Sequence, residues 1–272
     1  MFFGRCCEAS SFFIEIMITE RTELLVGEEG MHKLRNASVM VVGLGGVGAY
    51  AAEAIARAGV GKMIIIDGDV VSDTNINRQM IALHSTIGKS KAELMAARLK
   101  DINPEIELEV INEYIRDERM KEIIENNPCD WVVDAIDTLS PKLFLLIHCY
   151  KLGRKIVSSM GSGGKFDPSK ITITDISQTY NCPLASHIRK HLHRQGIYEG
   201  IAAVFSPEEV KQEYCREEFG ENKRTTVGTI SYMPAMFGLS VASVVIRDLV
   251  GIEPYKKVKD TKYYKDKKKF VV

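Results

Sequence analysis

Ser38-Val39-Met40-Val41-Val42-Gly43-Leu44-Gly45-Gly46-Val47-Gly48 decides the fold of this chain. A short apolar run enters a cluster of glycines, and small residues at helical spacing follow over 47–58. The run is too short for a helix and too apolar for a half-exposed strand, so it predicts a strand buried on both faces. Glycines permit a tight turn and close backbone approach, and a helix starting inside them offers unpaired amides to a phosphate. Alone, Gly43, Gly45, Gly46 and Gly48 are a weak signal, because glycines also serve packing. A second apolar run, 63–66, ends on Asp67, nineteen residues beyond Gly48. A carboxylate at that strand end accepts hydrogen bonds from ribose hydroxyls. To this point NAD and ATP fit equally well.

Further along, helical spacing over 90–102 stops at Asn103-Pro104, 106–111 alternates as a strand, and 117–125 reads as a polar-faced helix. Residues 131–133 form a buried strand leading into Asp134-Ala-Ile-Asp137, followed by a helix over 141–152 and a strand over 156–160. This alternation predicts an α/β fold with a doubly wound, mainly parallel, Rossmann-like sheet. Ligands of such sheets lie beyond the carboxyl ends of the strands, so the glycines, Asp67 and Asp137 should meet at one crevice. Residues 170–175 alternate like an antiparallel strand, which gives the sheet an antiparallel C-terminal extension. Residues 180–227 are polar, charged and turn-rich with little core, and predict a mobile crossover region or lid insertion. The domain reading is an N-terminal extension (1–16), one ATP-binding body (17–251) and a basic tail (252–272).

The 272 residues balance 36 Lys and Arg against 36 Asp and Glu, so a polyanionic partner must be met by local patches. None of the six cysteines forms a Cys-x-x-Cys pair, which argues against structural zinc and, with apolar surroundings at Cys129 and Cys149, for a reduced cytoplasmic protein. Residues 1–16 lack the basic and apolar regions of a signal peptide, and Met17 is a candidate natural start. The stretch 230–246 is uncharged for 17 residues but contains Pro234 and small residues; it reads as a core or subunit-interface helix, and membrane insertion is disfavoured.

The loop after Asp67 breaks the tie between NAD and ATP. Asp69, Asn75, Arg78, Gln79 and Lys91 follow in order, delivering a carboxylate, two amides, a guanidinium and an ammonium. A dehydrogenase needs only the ribose carboxylate. Arg78 offers a planar fork of donors and Lys91 a compact charge, both suited to phosphate oxygens. Each alone is as readily a solvated loop residue; together they read as a triphosphate grip.

With Asp137, this set resembles the adenylating enzymes of the ubiquitin-activating superfamily, which include the molybdopterin-synthase and thiamine-thiocarboxylate adenylyltransferases. The resemblance implies that Asp137 binds the Mg²⁺ of MgATP, with Asp134 in support. It also implies that Arg21 is an arginine finger donated across a homodimer to the partner's ATP; the plainer alternative is a surface salt bridge. Within the superfamily the chain looks most like the tRNA threonylcarbamoyladenosine dehydratases, over roughly 20–195 and again near 228–250. The stretches that carry this are Asp134-Ala-Ile-Asp137 with Pro141-Lys142, Gly161-Ser-Gly-Gly164 with Asp167-Pro168, Ile173-Thr-Asp175, and Pro183-Leu-Ala185 before a basic helix. Residues 196–227 match the pattern poorly.

The resemblance implies a carboxylate attacking the α-phosphate of ATP and an internal carbamoyl atom closing a ring on the adenylate, with net loss of water. Arg78, Lys91, Arg21 and Asp137 carry the charge stabilisation in this reading. No side-chain nucleophile is needed, and Cys182 is set aside as one because the family aligns no cysteine there. Arg189, Lys190 and Arg194 put a basic face on a helix suited to tRNA phosphates, and a second patch lies in the tail, with eight lysines against two aspartates from Lys256 onward. Three other readings compete: adenylation of the C-terminal carboxylate of a small ubiquitin-like or sulfur-carrier protein, a NAD oxidoreductase, and a non-catalytic nucleotide-binding scaffold. The sequence names no sulfur or redox partner.

Overall fold

A computed structural model of the chain describes residues 5–218 and 224–255. Helix α1, Arg5–Asn36, bends at Gly27, whose backbone is non-helical. Strand β1 (Ser38–Val42), helix α2 (Gly48–Arg57) and strand β2 (Lys62–Ile66) follow, then α3 (Lys91–Ile102), β3 (Glu107–Ile111) and α4 (Asp117–Asn126). The second half contains β4 (Trp131–Asp134), α5 (Leu139–Lys151), β5 (Lys155–Ser159), β6 (Thr172–Asp175), α6 (Pro183–Arg194) and β7 (Ala202–Phe205). A hairpin of β8 (Cys215–Glu218) and β9 (Arg224–Val227) precedes α7 (Tyr232–Leu249).

Seven strands form one sheet in the order β3-β2-β1-β4-β5-β7-β6. All neighbours are parallel except β6, which runs antiparallel to β7. The doubly wound sheet and its antiparallel extension thus match the expectation. Because successive strand residues face opposite ways, the central strands feed two cores. Val39, Val41, Met63, Ile65 and Val133 pack under α1, α2, α3 and α7, and Met40, Val42, Ile64, Ile66 and Val132 pack under α4, α5 and α6.

Residues 180–227 depart from the expected lid with little core. Ala185, Ile188 and Leu192 bury one side of α6, and β7 is buried at every position between β5 and β6. Basic residues between those three apolar ones mask the helical stripe, and four residues of strand are too few to stand out. Only the β8–β9 hairpin forms a separate sheet, and its connection, 219–223, lies outside the described residues. The boundary at 252 also moves: Pro254 is buried and its carbonyl accepts from Arg247 Nη1, so the chain packs on the body through Tyr255. The lysine-rich stretch 256–272 lies outside the described residues, as do the side chains of the N-terminal extension.

Helix α7 is long and apolar enough to span a membrane by composition, yet it is a core element. Met233, Phe237, Val241, Val244 and Val245 are buried, and a Cβ at Gly238 would press on the Val47 carbonyl and Tyr50 of α2. Truncating Phe237→Ala should therefore cost about 3–5 kcal/mol of folding free energy, read as a lowered urea midpoint; an unchanged midpoint would contradict this packing.

Candidate functional site: a nucleotide crevice at the switch point

Strand β1 pairs with β2 at Val42–Ile66 and with β4 at Val42–Asp134. The chain leaves β1 toward β2 and leaves β4 toward β5, in opposite directions along the sheet, so a crevice opens at the carboxyl ends of β1 and β4. Gly43 has φ +90°, and a Cβ on it would sit 2.8 Å from the Ala135 carbonyl oxygen. A Cβ at Gly48 would fall on the Gly43 carbonyl itself. Glycine is thus required at Gly43 by conformation and space and at Gly48 by space. No side chain caps the first turn of α2; Ala49 N donates back to Gly45 O at 3.3 Å, and the other first-turn amides are placed to face an anion.

Asp67, at the end of β2, accepts from Leu44 N at 2.6 Å through Oδ2 and from Asp69 N at 2.8 Å through Oδ1. Burial pushes its carboxyl above the ordinary aspartate range, against the pull of these two amides and of Lys91. Each oxygen keeps a lone pair for a ribose hydroxyl. The isolated bridge between Val70 and Ser90 brings Lys91 back to this loop. Lys91 Nζ, only 5% exposed, donates to Asp69 Oδ2 at 2.7 Å, and Tyr114 donates to Asp69 Oδ1. Partial burial opposes ionisation of Asp69, but the hydrogen bonds from Lys91 and Tyr114 prevail and hold its carboxyl below the usual value.

Asn75 caps its own short helical turn, accepting from Ser72 N at 3.2 Å, and is nearly buried. Arg78 is half-buried, braced by bonds from Nη1 to Thr74 O (2.8 Å) and Asn77 Oδ1 (2.9 Å), with its stem against Gly46. Gln79 is 7% exposed and its amide lies over Gly45; its Oε1 is buried without a hydrogen-bond partner. Its Nε2 is the atom nearest Gly45, and the unpaired amide oxygen behind it fits a ligand that brings its own donor.

On the β4 side, Asp134 and Lys142 are completely buried and paired at 2.6 Å. Ser158 Oγ donates to the same carboxylate oxygen at 2.5 Å, and Ile136 N to the other at 3.1 Å. This network fixes the turn that presents Asp137. Asp137 is exposed and has no partner among the described residues. One free carboxylate, with no cluster of three acidic, His or Cys ligands among the described residues, suits a cation carried mainly by phosphate oxygens and water, as Mg²⁺ is.

A family model, the ThiF family, matches residues 19–270. The chain belongs to the ThiF family. It is 39% identical over 248 residues to the Bacillus subtilis tRNA threonylcarbamoyladenosine dehydratase, covering 88% of this chain and 97% of that protein. It is 38% identical over 194 residues to the Escherichia coli enzyme of the same name, covering 69% and 72%. The E. coli tRNA N6-threonylcarbamoyladenosine dehydratase in complex with ATP superposes with a TM-score of 0.77 at 32% identity, over 86% of this chain and 94% of that one.

In this ThiF-family chain the crevice gathers the four glycines, Asp67, Asp69, Asn75, Arg78, Gln79 and Lys91, with Asp137 at the facing strand end. Two groups of expected residues lie elsewhere. Arg21 is exposed on α1, whose Thr19 and Met31 pack on Gly59, just past the end of α2 remote from the glycine turn. Helix α6 starts at Pro183 and the chain after it leads to the start of β7, which is parallel to β5, so Arg194 in its last turn lies toward the end of the sheet opposite the crevice. Arg189 is partly buried and bonded to Thr179 Oγ1, whereas Lys190 and Arg194 are exposed. Cys182 is 5% exposed within the core under α6. Sequence reasoning did not assign Tyr114 or Ser158 to the site, because both depend on neighbours distant in sequence; only strand register brings them in.

Asp67 sets a pH dependence. Its folded pKa lies above the unfolded one, so the ionised carboxylate lowers stability at neutral pH, and that contribution is regained only on acidification. Ligand binding needs the ionised form as acceptor. ATP affinity, measured by calorimetry, should therefore fall on acidification at a pH above that of an ordinary aspartate, and Asp67→Asn should bind at least tenfold more weakly without that acid limb. An identical pH profile in the variant would refute the assignment.

Proposed function

We propose that the chain is an ATP-dependent adenylating enzyme that dehydrates threonylcarbamoyladenosine in tRNA to its cyclic form. The observation that carries this reading is the likeness to named dehydratases along nearly their whole length, joined to a crevice with a ribose carboxylate at one strand end and a phosphate cradle at the next.

In this reaction Asp67 holds the ribose, and the α2 amides, Arg78 and Lys91 hold the phosphates. A threonyl carboxylate oxygen attacks the α-phosphorus and pyrophosphate leaves. A carbamoyl atom of the same nucleoside then attacks the acyl carbon, loses its proton, and expels AMP, which takes one carboxylate oxygen with it. The oxygen and two hydrogens of one water are thereby lost from the nucleoside. Developing negative charge on the phosphates is met by donors already in place. Mg²⁺, held against the nucleotide by Asp137, supplies further charge neutralisation when bound. Ring closure is intramolecular and rests on proximity, with no protein nucleophile.

Lys190 and Arg194 provide sequence-independent contacts to tRNA phosphates, in a cytoplasmic setting. Arg21 completes the phosphate site of a second copy, since it lies away from the crevice of its own chain. Incubation of threonylcarbamoyladenosine-containing tRNA with enzyme and ATP should remove 18 Da from the nucleoside by mass spectrometry, and Asp137→Asn should lower the rate at least a hundredfold. Pyrophosphate exchange stimulated by a small carrier protein but not by tRNA would overturn the reading in favour of carrier activation.

The dimer assignment has its own check. Arg21→Ala and Asp137→Asn, each inactive alone, should regain up to about a quarter of wild-type activity when co-refolded, because one mixed-dimer site is intact. No recovery would place Arg21 outside the partner's site.

A further inference from the structure

We propose that Tyr114 is the adenosine clamp of this crevice, its ring covering the base and ribose while the phosphates lie on the glycine turn. The inference rests on the reading that Asp67 holds the ribose. With the phosphates over β1 and β4 and the ribose at the end of β2, the base must extend toward β3. Ile66 pairs with Ile111, and Asp67 N donates to Ile111 O at 3.2 Å, so the segment after β3 forms that side of the crevice. Tyr114 is its aromatic residue.

Three features make Tyr114 more than a surface side chain. It is 73% exposed, yet its phenol donates to Asp69, one residue past the Gly68 that follows Asp67. Gly68 leaves room for it: a Cβ there would collide with the Tyr114 backbone nitrogen and sit 2.9 Å from its ring carbon Cδ2. The phenol is pushed up to about 12, first by the hydrogen bond to Asp69, then by partial burial, then by the charges of Asp69, Asp67 and Asp137. It is therefore a permanent donor at neutral pH, and it lies within the field of both the ribose carboxylate and the carboxylate on the facing strand.

Asp69 thereby serves two sides at once. Its Oδ2 orients Lys91 for phosphate and its Oδ1 anchors Tyr114 over adenosine. An exposed ring tethered at its hydroxyl end offers a flat face at small entropic cost, which suits stacking on a purine.

The test compares ATP with inorganic tripolyphosphate, which shares the phosphates but has no base or ribose. Binding of both is titrated calorimetrically to wild type, Tyr114→Ala and Tyr114→Phe. The clamp requires Tyr114→Ala to weaken ATP tenfold or more while tripolyphosphate affinity stays within twofold. Tyr114→Phe, which keeps the ring, should stay within about threefold of wild type for ATP. Melting temperatures should coincide across the three proteins, because the residue is exposed. Unchanged ATP affinity in Tyr114→Ala, parallel loss of both ligands, or an equal loss in Tyr114→Phe would each overturn the clamp. A wild-type protein that binds tripolyphosphate but gains nothing from the adenosine moiety would instead overturn the ribose reading on which it stands.

Discussion

Strand β1 ends where there is no space for a side chain. The Gly43 backbone lies against the Ala135 carbonyl, and Gly48 lies against the Gly43 carbonyl, so β1, β4 and α2 are locked by contacts between backbones. Because the sheet reverses its order between these strands, the same contacts set the walls of the crevice. Three further elements hold the turn from outside: Asp67 accepts from Leu44 N, Gln79 lies over Gly45, and Pro234 of α7 abuts Gly46. A turn fixed from so many directions does not have to reorganise when an anion arrives. That is the condition under which amide donors contribute most to stabilising charge in a transition state.

The charges around this turn follow a consistent pattern. Lys91 is oriented by Asp69 and Lys142 is paired with Asp134, so both of these buried cations have a carboxylate partner in place before any ligand arrives. The Asp134–Lys142 pair is fully desolvated, and removing one partner of such a pair costs roughly 3–5 kcal/mol because it strands the other. It holds a conformation, therefore, and a stability gain over an apolar pair does not follow from it. Half-buried Arg78 and exposed Asp137 form no ion pair among the described residues. The crevice thus offers a half-buried guanidinium and an exposed carboxylate that no side chain of opposite charge engages, beside buried charges that are already paired.

Much of this was legible in the sequence, and the reasons differ by element. Strand β1 was found at its observed limits because a five-residue apolar run ending in glycine has few other readings. Asp67, Arg78 and Lys91 could be grouped because the loop is local, and order along the chain stands in for proximity. Their partners were a different matter. That Lys91 meets Asp69 rather than open space depends on the Val70–Ser90 bridge, and that Tyr114, after β3, reaches the same carboxylate depends on the register of Ile66 with Ile111. Helix α6 and strand β7 were hidden for an energetic reason. Their burial is divided among Ala185, Ile188, Leu192 and four short strand residues, and no segment carries enough apolar area to signal alone.

The opposite side of the crevice follows by elimination. In the proposed reaction adenosine takes the β2–β3 side and the phosphates the β1–β4 centre, so the acyl group must enter over β5 and β7. The wall there is the loop after β5. Glu208 accepts from the backbone amides of Phe166 and Asp167, Lys165 donates to the Glu208 carbonyl, and Tyr232 donates to Phe166 O at 2.7 Å. Gly164 N donates to Gly228 O, and Thr229 O in turn accepts from Asn77, the neighbour and brace of Arg78. The loop after β5 and Arg78 are therefore tied through one short connector, residues 228–232. In the proposed reaction this joins the acyl side to the phosphate side, because the connector enters α7 and α7 packs on α2.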